Sequence, residues 1–138
     1  MGGVMSFPVK HITTTIKRSA RDVYAFASNP ANLPQWAAGL SGSTISRSGD
    51  EWISESPMGK VKVKFAEKNL FGVMDHDVTL PSGEVNHNPF RVMPNGEQSE
   101  IVFTLFHLPR MSASEFEKDA GLVATDLKKL KATLEKTM

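Results

Sequence analysis

The C-terminal segment carries the feature that most constrains the fold, a long helix with a single apolar face. Apolar residues recur there at alternating steps of four and three, at Phe116, Ala120, Val123, Leu127, Leu130 and Leu134. This spacing puts them on one side of a helix of about six turns. Ser112 and Glu115 form a capping-box pair that starts the helix shortly after Pro109. Such a helix needs another layer to cover its apolar face.

The middle of the chain has the pattern of β-strands that could provide this layer. Candidate strands cover residues 43–47, 51–55, 60–68, 71–80, 84–93 and 100–107. The segments between them are rich in turn-forming residues and include Ser48-Gly49-Asp50, Pro57-Met58-Gly59, Ser82-Gly83 and Asn95-Gly96. Connections this short predict antiparallel neighbours throughout.

The N-terminal part predicts one more strand and two short helices. Residues 9–18 are rich in β-branched side chains, and Ser19 with Asp22 caps the helix that follows. Asn29 and Pro30 end this helix and start a second one, which closes near Trp36. We expect residues 1–8 to form a flexible leader and the whole chain, residues 1–138, to form a single domain.

Composition narrows the class of protein. A net charge of +1 over 138 residues gives no strong attraction to nucleic acid. The chain has no cysteine, which excludes disulfides and thiol chemistry and favours a reducing, cytoplasmic location. No apolar run is long enough for an integral membrane segment. No phosphate-binding loop, nucleophile elbow or zinc motif is present, so we expect no cofactor and no metal.

The element order predicts an α+β fold. A strand, two short helices, six strands and a long helix would give a seven-stranded curved antiparallel sheet wrapped around the C-terminal helix. One helix cannot fill a strongly twisted sheet along its whole length, so we expect a cavity between the two.

Three stretches of this sequence resemble a known superfamily. They are "ITTTIKRSARDVYAFASNPANLPQW", the strand-rich middle and "FEKDAGLVATDLKKLKATLE". Together they are similar to the START-like, or SRPBCC, superfamily with its helix-grip fold (β-α-α-β6-α), in particular to its polyketide cyclase/dehydrase and lipid-transport branch. The resemblance implies a hydrophobic small molecule held between the sheet and the last helix. Because this scaffold hosts many activities, it implies the fold more strongly than the function.

The stretch "DHD" at residues 75–77 is the main candidate for a functional site. A two-residue turn at Asn69-Leu70 would place Lys64 opposite Asp75 and Val63 opposite His76. The two aspartates would then face solvent, and His76 would face inward with Phe65, Met74 and Val78. Adjacent strand residues lie on opposite faces, so these three side chains cannot bind one metal ion.

His76 admits three interpretations. It is a buried neutral imidazole bonded to a neighbour, a cavity residue that orients a ligand, or a catalytic base assisted by Glu55. The last interpretation requires the protein to be an enzyme, and no second catalytic group is evident beside His76.

Two more candidates depend on the strand that contains Pro89. Extending the register would place His87 opposite Val78 and therefore inward. Proline cannot donate to a strand ladder, so we predict a bulge at Asn88-Pro89. Beyond it Arg91 would face outward opposite Glu100; if it faces inward instead, it would anchor a ligand carboxylate or phosphate.

The predicted ligand-binding set shares an inward orientation or a place at the cavity mouth: His76, His87, Trp36, Phe65, Met74, Val78, Phe90 and Phe103. The leading hypothesis is a domain that binds or carries an apolar, lipid- or polyketide-like small molecule. The alternatives are a cyclase or dehydrase that uses His76 as acid and base, and a protein-interaction or coenzyme-Q-binding module, which the family resemblance also implies.

Overall fold

A computed structural model describes residues 5–40, 43–56 and 59–136 and confirms the α+β class. The strands are β1 (Val9–Ile16), β2 (Thr44–Ser48), β3 (Glu51–Ser56), β4 (Gly59–Phe65), β5 (His76–Thr79), β6 (Val85–Asn88), β7 (Phe90–Asn95) and β8 (Gln98–Phe106). The helices are α1 (Ala20–Ala27), α2 (Leu33–Trp36) and α3 (Ala113–Glu135), with single 3-10 turns at Pro30–Asn32 and Ala38–Leu40. No helix within the described ranges is long and apolar enough to cross a membrane.

The predicted helix starts are confirmed by their caps. The Ser19 side chain accepts a hydrogen bond from the Asp22 backbone at the start of α1. Asn29 accepts one from the Ala31 backbone and precedes Pro30, the first residue of the 3-10 turn that leads into α2. At α3 the Ser112 and Glu115 side chains each bond the other residue's backbone N–H. These caps satisfy amide groups that have no partner inside the helix.

The strands form two antiparallel ladders, in the orders β1-β8-β7 and β2-β3-β4-β5-β6. A short pairing joins the ladders, in which Met74 N donates to Phe90 O and Val92 N donates to Gly72 O. The seven predicted strands thus become eight among the described residues. The extra strand arises because the predicted strand at residues 84–93 breaks at Pro89, which cannot donate to a ladder. The chain there leaves one ladder and joins the other, a larger change than the predicted bulge.

The predicted register between β4 and β5 is wrong by two residues. Asp77, not Asp75, lies opposite Lys64, and Phe65 lies opposite His76. The reason is a connection longer than two residues, which Asn69 closes with its side chain. This side chain accepts from the Phe71 and Val73 amides and donates to the Val73 carbonyl at 2.9 Å. A shift of two residues keeps each side chain on its predicted face, so the predicted inward orientation of His76 is confirmed.

The predicted register between β5 and β6 is wrong by one residue, and this moves His87 to the other face. His87 pairs with Asp77, and its ring bonds the Asp77 carboxylate at 2.6 Å on the exposed side. The turn contains three residues because Pro81 has no N–H to close a two-residue turn. Leu80 N donates to Glu84 O instead.

The β7–β8 hairpin is shifted by two residues from its predicted pairing. Its turn lies at Gly96-Glu97, so Arg91 lies opposite Val102 instead of Glu100, and Phe90 lies opposite Phe103. Arg91 faces outward as predicted, but its ion-pair partner is Asp75 at 2.9 Å and not Glu100.

Helix α3 packs against β1 and α2 and is held to the sheet at both ends. Near its start the Phe116 ring stacks on His107 at 4.6 Å, and Glu117 pairs with Lys10 at 3.0 Å. Near its end Arg18 donates to the Leu134 carbonyl and Lys131 donates to the Thr15 carbonyl. The middle of the helix has no such anchor to the sheet in the described hydrogen bonds, and it lies over the interior.

Candidate ligand-binding cavity

A cavity of about 260 Å³ lies between the middle of α3, the α2 region and the inner face of β4 and β5. Its wall is mostly apolar and consists of Leu33, Trp36, Ala37, Leu40, Val61, Val63, Val78, Leu80, Phe103, Val123 and Leu127, with Gly39 at the exposed edge. Three polar side chains interrupt this wall: His76, Asn88 and Asp126. An apolar hollow with few polar groups is the usual form of a small-molecule site.

His76 is the most enclosed of these polar side chains, with 7% of its surface exposed. Its ring stacks on Phe65 at 4.7 Å and meets the ring of Phe103 edge-on at 5.8 Å. Nδ1 lies 3.0 Å from the Met74 carbonyl oxygen. Because a carbonyl only accepts hydrogen bonds, Nδ1 carries a proton and donates it.

Burial sets the charge of this ring. It lowers the pKa of His76 below the ordinary value, because an enclosed apolar site disfavours the imidazolium ion. The ring is therefore neutral at physiological pH, and with Nδ1 protonated its Nε2 atom is a hydrogen-bond acceptor.

Nε2 of His76 is available to a ligand. It accepts no hydrogen bond from any described residue, since the ring's one bond is at Nδ1. Among the described residues, two side-chain polar atoms are fully enclosed and have no hydrogen-bond partner, Trp36 Nε1 and Ser99 Oγ. Nε2 of His76 is not one of them. Nε2 therefore retains accessible surface, and the ring that carries it lines the cavity.

Asp126 brings a carboxylate to the same cavity from α3. Its Oδ1 accepts a hydrogen bond from Ala38 N at 3.1 Å, which links α3 to the segment that follows α2. Burial raises the pKa of Asp126 above its ordinary value, and the Ala38 bond only partly offsets this. Asp126 was not among the predicted site residues, although the sequence contains a signal for it. It lies three residues after Val123 and four before Leu130, so helical spacing places it beside the apolar stripe.

Four of the predicted ligand-binding residues are brought together in the cavity wall: His76, Trp36, Val78 and Phe103. Phe65, Met74 and Phe90 face inward but do not line the cavity. Met74 and Phe90 are fully buried in the core, and Phe65 lies against the His76 ring. The role of this set in binding stays a prediction.

The structure does not bring His87 or Glu55 to the cavity. The inward orientation predicted for His87 is wrong, because the one-residue difference in register turns it to the outer face. Glu55 is exposed at the end of β3 and lies 3.9 Å from Lys60. It cannot assist His76 from there.

The two aspartates of "DHD" have separate roles outside the cavity. Asp75 accepts from Phe90 N at 2.9 Å and pairs with Arg91. Burial alone would raise the pKa of Asp75, but these two contacts outweigh it and hold the pKa below its ordinary value. Asp77 bonds His87 on the outer face. Within the described ranges no three acidic or histidine side chains are grouped to hold a metal ion.

The state of His76 predicts a pH dependence of stability. The folded pKa lies below the unfolded value of about 6.5, so the unfolded chain takes up the proton first as the pH falls. The free energy of unfolding should be unaffected by this group at a pH well above 6.5. It should fall by up to about 1.4 kcal/mol for each pH unit below 6.5, until the folded pKa is reached.

Urea denaturation of the wild type and of His76→Leu at pH 7.5 and pH 5.5 would measure this effect. We expect the variant to lose less stability between the two conditions. Asp126 is present in both proteins, so its titration cancels in the comparison. An equal loss in the wild type and His76→Leu would contradict the prediction.

Comparison with known proteins supports the fold. No family model matches the chain, and no curated protein matches it. Among solved structures, a protein from Bacillus thuringiensis is 15% identical with a TM-score of 0.72, and the match covers 92% of this chain and 98% of that one. A START superfamily protein from Mycobacterium smegmatis is 14% identical with a TM-score of 0.69, and the match covers 94% and 99%.

A third similar structure is DynU16, a protein of the dynemicin biosynthetic locus. It is 11% identical with a TM-score of 0.70, and the match covers 92% of this chain but only 47% of that one. At such low identity these likenesses show the fold alone. The chain therefore has the START-like helix-grip fold that the sequence resemblance implied.

Proposed function

We propose that this protein binds and carries an apolar small molecule in the cavity between the sheet and α3. The observation that carries the proposal is the cavity itself, about 260 Å³ with an almost continuous apolar wall. A well-packed interior has few voids larger than a water molecule, so a hollow of this size is available for a ligand. Burial of the ligand's apolar surface would supply most of the binding free energy, at about 25 cal/mol per Å².

The START-like fold is consistent with this function, and one similar structure is described as a START superfamily protein. Another comes from a biosynthetic locus.

The cyclase or dehydrase alternative is the weaker candidate. The lowered pKa of His76 makes it a poorer base toward a carbon acid than an ordinary histidine. Its predicted assistant, Glu55, is outside the cavity.

An exposed apolar strip along α3 would favour the protein-interaction alternative. The apolar stripe of α3 is largely buried, at Phe116, Ala120, Leu127, Leu130 and Leu134.

Native mass spectrometry of freshly purified protein tests the proposal. We expect the wild type to carry a bound small molecule or to take up naphthalene. Val78→Trp should lose this capacity, because the indole would occupy the cavity that Val78 lines. Val85→Trp is the matched control, since Val85 is exposed on β6 and lies outside the cavity wall. Equal binding by both tryptophan variants would place the ligand elsewhere, and no binding by the wild type would overturn the proposal.

A further inference from the structure

We infer, on the basis of the proposed function, that the cavity selects neutral molecules of about two fused rings that carry one hydrogen-bond donor. A hydroxyl or N–H group on such a molecule would donate to Nε2 of His76. This assignment gives the ligand a size, a charge and a polarity.

The size follows from the cavity volume. An apolar protein cavity of about 150 Å³ is large enough to bind benzene. The cavity of this protein is about 260 Å³, which leaves room for a second ring but not for a long lipid chain held along its whole length.

The charge follows from the side chains of the wall. Within the described part of the chain, no lysine or arginine lines the cavity. The ionisable groups there are His76, which is neutral, and Asp126, which repels anions when it is ionised. A carboxylate or phosphate on a ligand would lose its hydration without gaining a counter-charge, and this strongly opposes its burial. Arg91, which would anchor an anion only if it faced inward, pairs with Asp75 on the outer face.

The polarity follows from the contact between His76 and Met74. The Met74 carbonyl fixes the proton on Nδ1, so Nε2 presents a lone pair. A ligand hydroxyl would donate a hydrogen bond to this lone pair. The carbonyl oxygens of a quinone or ketone are hydrogen-bond acceptors, and Nε2 is also an acceptor, so the two cannot form a hydrogen bond. This disfavours the coenzyme-Q interpretation at Nε2. Neighbouring rings hold the imidazole in place, because it stacks on Phe65 and meets Phe103 edge-on.

Three probes of one ring system separate these properties: naphthalene, 2-naphthol and 2-naphthoate. Their affinities for the wild type, for His76→Phe and for His87→Phe can be measured by calorimetric titration. We expect the ratio of 2-naphthol to naphthalene affinity to fall about tenfold in His76→Phe, because a buried hydroxyl without a hydrogen-bond partner is penalised. His87→Phe should keep the wild-type ratio. The naphthoate should bind the wild type most weakly.

A measurement on the wild type alone guards against a variant that fails to fold. With ¹⁵N-labelled histidine, 2-naphthol should shift the Nε2 resonance of His76, whereas naphthalene should not. If naphthalene and 2-naphthol both fail to bind, the proposed function and this inference fall together. If both bind but the ratio is unchanged in His76→Phe, or if 2-naphthoate binds most tightly, the cavity function stands and this inference is overturned.

Discussion

Gly72→Ala is expected to destabilise the protein by at least about 3 kcal/mol, because an added methyl group would collide with the backbone. Gly72 has a φ of +71°, and a Cβ at this position would lie 2.2 Å from the Val92 carbonyl oxygen. The Gly72 carbonyl also accepts the hydrogen bond from Val92 N that joins the two ladders. Relief of the collision would therefore require this junction to open.

Gly96→Ala separates the collision from the backbone conformation. Gly96 has a similar φ of +63°, but a Cβ there would have no atom within 4 Å. Left-handed backbone alone disfavours alanine by about 1–2 kcal/mol. Urea denaturation followed by circular dichroism would give both values. A difference of less than about 1 kcal/mol between the two variants would show that Gly72 does not make the close approach described above.

Phe90→Ala is expected to reduce the free energy of unfolding by about 3–5 kcal/mol, the usual range for loss of a buried phenylalanine. The Phe90 ring is completely buried, and its centre lies 5.4 Å from that of Phe103 and 5.9 Å from that of Trp36. Since both neighbours line the cavity, the variant should also loosen the wall and weaken binding of naphthalene.

Phe71→Ala is the control, because it removes the same ring from a position that is 83% exposed. This change should alter the free energy of unfolding by less than about 0.5 kcal/mol. Denaturation of both variants under one set of conditions makes the comparison. If Phe71→Ala lowered the free energy of unfolding as much as Phe90→Ala, the assignment of Phe90 to the core and of Phe71 to the surface would be wrong.

The features that could be predicted from the sequence are those fixed by local chemistry. The caps at Ser19 and Ser112 depend on side chains within three residues of the amide they bind. The apolar stripe of α3 depends on helical spacing, and the inward face of His76 depends on alternation along a strand. Each of these signals is contained in a few neighbouring residues.

The features that could not be predicted depend on how turns close. Asn69 closes a loop with four side-chain hydrogen bonds, and no count of hydrophobic residues reveals this. Because Pro81 has no N–H, the turn is one residue longer than predicted, and His87 lies on the surface instead of facing the cavity as predicted. The two-residue error in the predicted β4–β5 register left every side chain on its predicted face of the sheet. The one-residue error at β5–β6 assigned the side chains to the opposite face.

The pairing of β1 with β8 has a consequence for the order in which the protein acquires its structure. Val9 pairs with Phe106 and Ile16 with Ser99, so β1 has no partner until almost the whole sheet has been synthesised. Pairings between residues so distant in sequence slow folding. During synthesis, β1, which is rich in β-branched side chains, therefore lacks the strand it pairs with until β8 has been made. Conditions that slow translation would prolong this exposure and favour aggregation of the nascent chain.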